Sequence, residues 1–186
     1  DGPMSRGLGD VYKRQARDAV GRGLNTCLIE KGDIASQTSS WSTKLIHGGI
    51  RYLENYDFKL VRESLKERDI IKKIAPHITK PIKFVLPHVP SLRSSWMIRI
   101  GLFLYDRLGG KSSFERSKFI YLNQQFNENP LKENFKSGYM YSDLFVDDSR
   151  LALLNAEDAI NRGAKIYVNT NITKVIRDNE YWSVYL

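Results

Sequence analysis

The sequence predicts an α/β fold in which a helix-and-strand layer is interrupted by a long insertion. Short apolar runs of strand length occur at residues 25–30, 82–86, 139–142, 165–168, 172–177 and 182–186. Two stretches, 60–75 and 147–161, carry helical spacing or a helix-capping start. Between those helices lies a polar, loop-like tract at 109–137.

Taken in order, the stretch DGPMSRGLGDVYKRQ at residues 1–15 has neither period and no capping logic, and it reads as a non-native scar. The expected protein then enters in mid-helix at Ala16, and Gly21 and Gly23 break that helix. NTCLIE reads as a short buried strand ending on Glu30, with Cys27 as a buried reduced thiol. Residues 31–49, rich in Ser, Thr and Gly, read as an irregular loop. Val61, Leu65, Ile70, Ile71 and Ile74 make an amphipathic helix that stops before Pro76. Ile82, Phe84 and Leu86 alternate as a strand closed by Pro87. Residues 96–105, apolar apart from Arg99 and Gly101, suit a helix that either lies in a lipid headgroup zone or is buried in a core. Asp147 or Asp148 can cap a helix running to Asn161 and stopped by Gly163. Three strands follow, the last two joined by a turn at Asp178-Asn179. The expected domains are 16–75, an inserted region over 76–138, and a continuation of the first over 139–186, with both ends read as cut.

Composition bounds the function. The chain has 186 residues, 41% of them hydrophobic, and a formal net charge of +8 from 29 Lys+Arg and 21 Asp+Glu. That is a globular composition, not that of a disordered, collagenous or disulfide-stapled chain. One cysteine cannot close an internal disulfide, which favours a reducing compartment. No stretch approaches about 18 uninterrupted apolar residues, the length of a membrane span. Positive charge suits anionic partners, yet the basic residues are spread along the chain without a stacking or reading motif, so no nucleic-acid partner is expected. His47, His77 and His88 lack ligand spacing, and no metal is expected.

Some residues carry chemistry. A strand ending on an acid, preceded by a helix with small residues, resembles the second half of a dinucleotide-binding unit in which Glu30 accepts the ribose hydroxyls. Many surface strands also end in Glu, and no G-x-G-x-x-G turn precedes the helix. Ser36, Thr38, Ser39, Ser40, Ser42 and Thr43 supply hydroxyls, followed by Lys44-Leu45-Ile46-His47-Gly48-Gly49 with one cation and a close-approach glycine pair. Such groups suit a pyrophosphate or a flat ring. An ordinary polar loop with a structural histidine is the plainer alternative.

The succession ARDAVGRGL, EKGDIASQTSS, STKLIHGGIRYLE, LVRESLKER, APHITKPIKFVLPH, YDRLGG and VDDSRLALLNAEDAINRGA closely resembles the FAD-dependent glycerol-3-phosphate dehydrogenase family, in one order over residues 16–186. Gln37 departs from a usual Gly, and Trp41 and Thr43 from smaller residues, so that Trp41 is expected to crowd the loop. The resemblance implies a Rossmann-like FAD-binding fold, here a fragment with an inserted α+β substrate or cap region. It implies FAD held by Glu30, Lys31, Thr38, Ser39, Ser42, Lys44, Leu45, His47, Gly48 and Gly49. It also implies oxidation of sn-glycerol 3-phosphate to dihydroxyacetone phosphate, with electrons passed to quinone. Arg51 is then the partner of the substrate anion and Tyr52 a hydrogen-bonding neighbour; alternatively Arg51 pairs with Glu54 and Tyr52 only packs. The expected location is peripheral, on the cytoplasmic face of the cell membrane, or on the mitochondrial inner membrane in a eukaryote. A homodimer stays open as the assembly, and the fragment alone is expected to be inactive. An oxidase that uses oxygen, and a non-catalytic membrane-surface module, remain as alternatives.

Overall fold

The computed structural model describes residues 8–89, 91–126, 131–132, 134–179 and 181–186. Its elements run α1 (Leu8–Gly21), β1 (Cys27–Ile29), β2 (Leu45–Ile46), a 3-10 helix (Ile50–Asn55), α2 (Phe58–Ile74), β3 (Thr79–Pro87), α3 (Ser95–Leu108), β4 (Lys118–Tyr121), α4 (Leu122–Gln125) and β5 (Ser137–Val146). α5 (Asp148–Asn161), β6 (Lys165–Tyr167), β7 (Lys174–Arg177) and β8 (Trp182–Tyr185) complete the chain. Two units form: the first is the stretch through Lys44 joined by Asp147–Leu186, and the second is Leu45–Val146. The divisions lie further out than the expected 75/76 and 138/139, because β2 and α2 pack with the inserted sheet.

In the first unit β1 and β6 pair in parallel, Leu28 opposite Ile166, and β7 and β8 form an antiparallel hairpin. Parallel neighbours require a crossover, and α5 lies in the chain just before β6. α5 is capped by the Asp147 side chain, which accepts from the Arg150 N–H at 3.1 Å and satisfies an otherwise orphaned donor. Ala152, Ala156 and Ala159 form its buried stripe at helical spacing. α1 packs on α5, and the Arg17 guanidinium bonds the Asp158 carboxylate.

α1 begins at Leu8 rather than Ala16. Residues 8–15 contain no proline, Gly9 falls only in the first turn, and each added residue contributes one hydrogen bond to an existing helix. Residues 1–7 of the expected scar lie outside the described residues. Cys27 is exposed, contrary to the expected burial. β1 is three residues long and, among the described residues, only β6 pairs with it, so its Cys27 end is left uncovered.

In the second unit β5 is central, with β3 along one edge from Thr79↔Val146 to Pro87↔Gly138. β2 and β4 share its other edge, pairing with residues 144–145 and 137–140 respectively. β5 is ten residues long, yet the sequence signals only 139–142. Seven of its last nine residues are buried, so no alternation of apolar and polar side chains is left to read. β4 and α4 fall in the tract expected to be loop. They are four residues each, too short for a local period, and their anchors Ile120 and Leu122 pack with Met140.

α2 forms as expected, with Val61 and Leu65 packed on Tyr105. Arg68 and Asp69 are buried on it, whereas Ile70 and Ile74 are exposed. α3 buries Leu102 and Tyr105 and leaves Trp96, Met97, Ile100 and Phe103 half or more exposed within this chain. No helix among the described residues is long and apolar enough to cross a membrane.

Candidate functional site

The expected cofactor residues divide between the units, Glu30 to Lys44 with the first and Leu45 to Gly49 with the second. Glu30 follows β1 and keeps its backbone in the sheet, its N–H donating to the Tyr167 carbonyl at 2.8 Å. Its Oε2 accepts from the Lys13 ammonium at 2.8 Å, and Oε1 accepts a longer 3.4 Å bond from the Gly32 N–H. The Lys13 hydrogen bond holds the Glu30 carboxyl below the usual carboxylate range, against the cost of burial. Lys13 is buried, an ion pair that sequence reasoning missed by setting aside residues 1–15. Lys31 is exposed beside it.

The hydroxyl loop is folded on itself. Ser36 Oγ donates to the Asp33 carbonyl, and the Trp41 N–H donates to the carbonyl of half-buried Thr38 at 3.1 Å. Trp41 does not crowd the loop; it stands in solvent, 86% exposed. Ser39 is buried, and its Oγ finds no partner among the described residues. Asp148, at the start of α5, gathers the end of the loop. Its Oδ2 accepts from the Ser42 hydroxyl, and its Oδ1 from the Lys44 ammonium at 2.5 Å. Lys44 adopts φ +56°, a left-handed backbone that costs a non-glycine residue energy and is held here by Asp148 and by its N–H bond to Ser42 Oγ. The sequence marks Asp148 only as a helix cap; it is also the counter-ion of Lys44.

In the second unit Leu45 belongs to β2 and leads into the His47–Gly49 turn. His47 is exposed. Its Nδ1 accepts from the Gly49 N–H at 3.0 Å, so the neutral ring carries its proton on Nε2. The Gly48 N–H donates to the Tyr105 hydroxyl at 2.7 Å. Both amides are therefore used within the protein and do not point to a ligand. Packing also explains both glycines: a Cβ on Gly48 would lie 2.4 Å from Leu65 Cδ2, and one on Gly49, at φ +67°, 2.4 Å from Tyr52 Cδ2.

Arg51 and Tyr52 lie on the 3-10 helix. Glu54 does not pair with Arg51, because Arg93 holds its carboxylate with both terminal nitrogens. Arg51 is exposed, and its guanidinium makes no hydrogen bond or ion pair among the described residues. Tyr52 is half-buried and packs against the Val61–Leu65–Tyr105 cluster.

Beneath the turn lies a polar cluster that the sequence reading missed. Asp143 Oδ1 accepts from Arg68 Nη1 at 2.7 Å and from the Tyr105 hydroxyl at 2.8 Å. Burial raises the Asp143 carboxyl, opposed by those two bonds, and burial with the Asp143 charge pushes the Tyr105 hydroxyl far up. The one signal in the sequence is a charged residue, Arg68, on the apolar stripe of α2 that holds Val61 and Leu65. Among the described residues no group of three or more His, Cys, Asp or Glu is placed to hold a metal ion.

Comparison with known proteins agrees with this architecture. The family model described as FAD dependent oxidoreductase matches residues 15–185. A glycerol-3-phosphate dehydrogenase of Pseudomonas tolaasii is 52% identical over 170 residues, 91% of this chain and 32% of that protein. A D-erythritol 1-phosphate dehydrogenase of Brucella abortus is 48% identical over 169 residues, 91% of this chain and 34% of its own length. The chain thus spans about a third of the curated relatives it matches. The crystal structure of a Bacillus halodurans glycerol-3-phosphate dehydrogenase complexed with FAD superposes with a TM-score of 0.63 at 29% identity, covering 92% of this chain and 27% of that one. The Rossmann-like α/β fold, the strand-end acid and a match over nearly the whole chain place this protein in the FAD dependent oxidoreductase family.

Proposed function

We propose that the whole protein carrying this chain binds FAD and oxidises sn-glycerol 3-phosphate to dihydroxyacetone phosphate, passing the electrons to a quinone. The observation that carries the substrate reading is Arg51, an exposed guanidinium that makes no hydrogen bond or ion pair among the described residues, three residues from a Glu54 whose carboxylate Arg93 already holds. A phosphate dianion suits that planar fork. Relatives at about half identity carry names of polyol-phosphate dehydrogenases, which supports the same class.

The residues present fit the cofactor. Glu30 sits at the end of a parallel strand with a carboxylate about a quarter exposed, suited to ribose hydroxyls. Ser39 Oγ is a buried hydroxyl without a hydrogen-bond partner among the described residues. When bound, FAD supplies the two-electron acceptor for the hydride leaving the carbinol carbon. Arg51 would anchor the phosphate and His47 present its Nε2–H as a donor, while Lys44 stays neutralised by Asp148.

A second substrate reading is a longer polyol phosphate, favoured by the Brucella relative. Peripheral membrane attachment would come from the outer face of α3, where Trp96, Met97, Ile100 and Phe103 are exposed beside Arg99 and Arg107. Such a face suits anionic headgroups.

The purified whole protein, given glycerol 3-phosphate or erythritol phosphate with a quinone analogue or oxygen, tests these readings. Faster quinone reduction with glycerol 3-phosphate, and little oxygen uptake, is the expected result. Preference for the four-carbon substrate selects the second reading, and oxygen uptake at the full rate selects an oxidase.

A further inference from the structure

A buried ion pair is a poor way to stabilise a core, because desolvation offsets its attraction. Arg68 and Asp143 nevertheless face each other at 2.7 Å with 5% and 4% of their side chains exposed. The arrangement is not fully satisfied, since among the described residues Arg68 Nε is buried without a hydrogen-bond partner, and the guanidinium lies 4.0 Å over the Phe114 ring. What the pair does achieve is directional. An ionised Asp143 can only accept, and the Gly48 N–H can only donate. The Tyr105 hydroxyl between them, 2.8 Å from Asp143 Oδ1 and 2.7 Å from the Gly48 nitrogen, must give its proton to Asp143 and turn a lone pair to Gly48. Its high pKa keeps that proton in place.

From these contacts we infer that Tyr105 is a positioning residue for the His47–Gly49 turn, acting through the Gly48 amide, with Arg68 and Asp143 fixing its hydroxyl. The turn has no slack on its other side: Gly48 abuts Leu65 and the Tyr105 ring, and the Gly49 N–H holds His47 Nδ1. A hydroxyl 57 residues away in sequence thus sets where the imidazole stands. The inference rests on the reading that this turn lines the flavin.

The test compares Tyr105→Phe with His47→Gln in the FAD-loaded whole protein, recording the flavin absorption bands, the flavin midpoint potential and steady-state kinetics with glycerol 3-phosphate. Phe keeps the ring packing and removes the hydroxyl, both the acceptor of the Gly48 N–H and the donor to Asp143. If the inference holds, both variants shift the flavin bands and potential. Tyr105→Phe then lowers kcat about tenfold or more with KM within about twofold, as misplacement of a reacting geometry does. A lowered melting temperature with unmoved flavin spectrum and potential in Tyr105→Phe, while His47→Gln moves them, overturns the inference and leaves the flavin reading standing. A silent His47→Gln removes the turn from the flavin, and the inference falls with it whatever Tyr105→Phe does. If Tyr105→Phe does not fold, 3-fluorotyrosine at the same position keeps ring and hydroxyl but accepts more weakly. A smaller shift of the same sign supports the inference, and none overturns it.

Discussion

The Lys13 ammonium lies 2.8 Å from Glu30 Oε2, buried on the helix side and a quarter open to solvent on the carboxylate side. Because the pair depresses the Glu30 pKa, its contribution to stability is present above the ordinary carboxylate pKa and is lost as pH falls through the folded value. Thermal melts of this chain, followed by circular dichroism from roughly pH 6 down to pH 3, should therefore fall more steeply than those of Lys13→Met. Parallel curves would show that the pair does not hold in solution.

Glu30→Ala should weaken FAD binding by about 1.5–3 kcal/mol, the range for hydrogen bonds to a charged group. That substitution also orphans buried Lys13, so the titration is best read in a Lys13→Met background. Unchanged FAD affinity there removes Glu30 from the ribose site.

The two glycines of the turn should fail for different reasons. Gly48→Ala drives a methyl into Leu65 and Tyr105 and should cost about 1–3 kcal/mol, the usual overpacking range. Gly49→Ala meets Tyr52, so Tyr52→Leu should recover part of the lost melting temperature at Gly49 and none at Gly48. Equal rescue at both positions would contradict the packing described.

Arg51→Ala should leave the fold and the flavin spectrum intact, since Arg51 is exposed and makes no hydrogen bond or ion pair among the described residues. Losing a charge-assisted partner of the substrate anion should lower kcat/KM by about 2–5 kcal/mol, roughly thirty- to several-thousand-fold. A change of no more than about twofold would dismiss Arg51 as the anion's partner.

Trp96→Ser with Phe103→Ser should reduce sedimentation of the whole protein with anionic liposomes while preserving activity toward a soluble dye. Both side chains are more than half exposed, at 62% and 52%, so the fold should survive. Undiminished vesicle binding by a folded double variant rules out this face of α3 as the anchor.

Local pattern was enough wherever an element owes its form to its own residues. The α2 helix, the Asp147-capped α5, the β3 strand, though with Leu86 exposed and Val85 half-buried rather than in strict alternation, and the strand leading to Glu30 were legible because period, caps and breakers act within a few residues. The resemblance carried by HGGIRYLE and VDDSRL likewise needed only the order of residues, and the family match over residues 15–185 agrees with it. Tertiary structure decided the rest. β5 lost its alternation because it is covered on both faces, and β4 exists only because β5 offers an edge. Leu65 and Tyr52 press on the glycine pair so closely that neither position has room for a Cβ, a fact that no spacing encodes. Lys13 meeting Glu30, Asp148 meeting Lys44, and Tyr105 reaching Gly48 across 57 residues are contacts between groups whose partners lie in other elements. Sequence specifies which side chains can donate or accept; only the folded chain brings each donor to its acceptor.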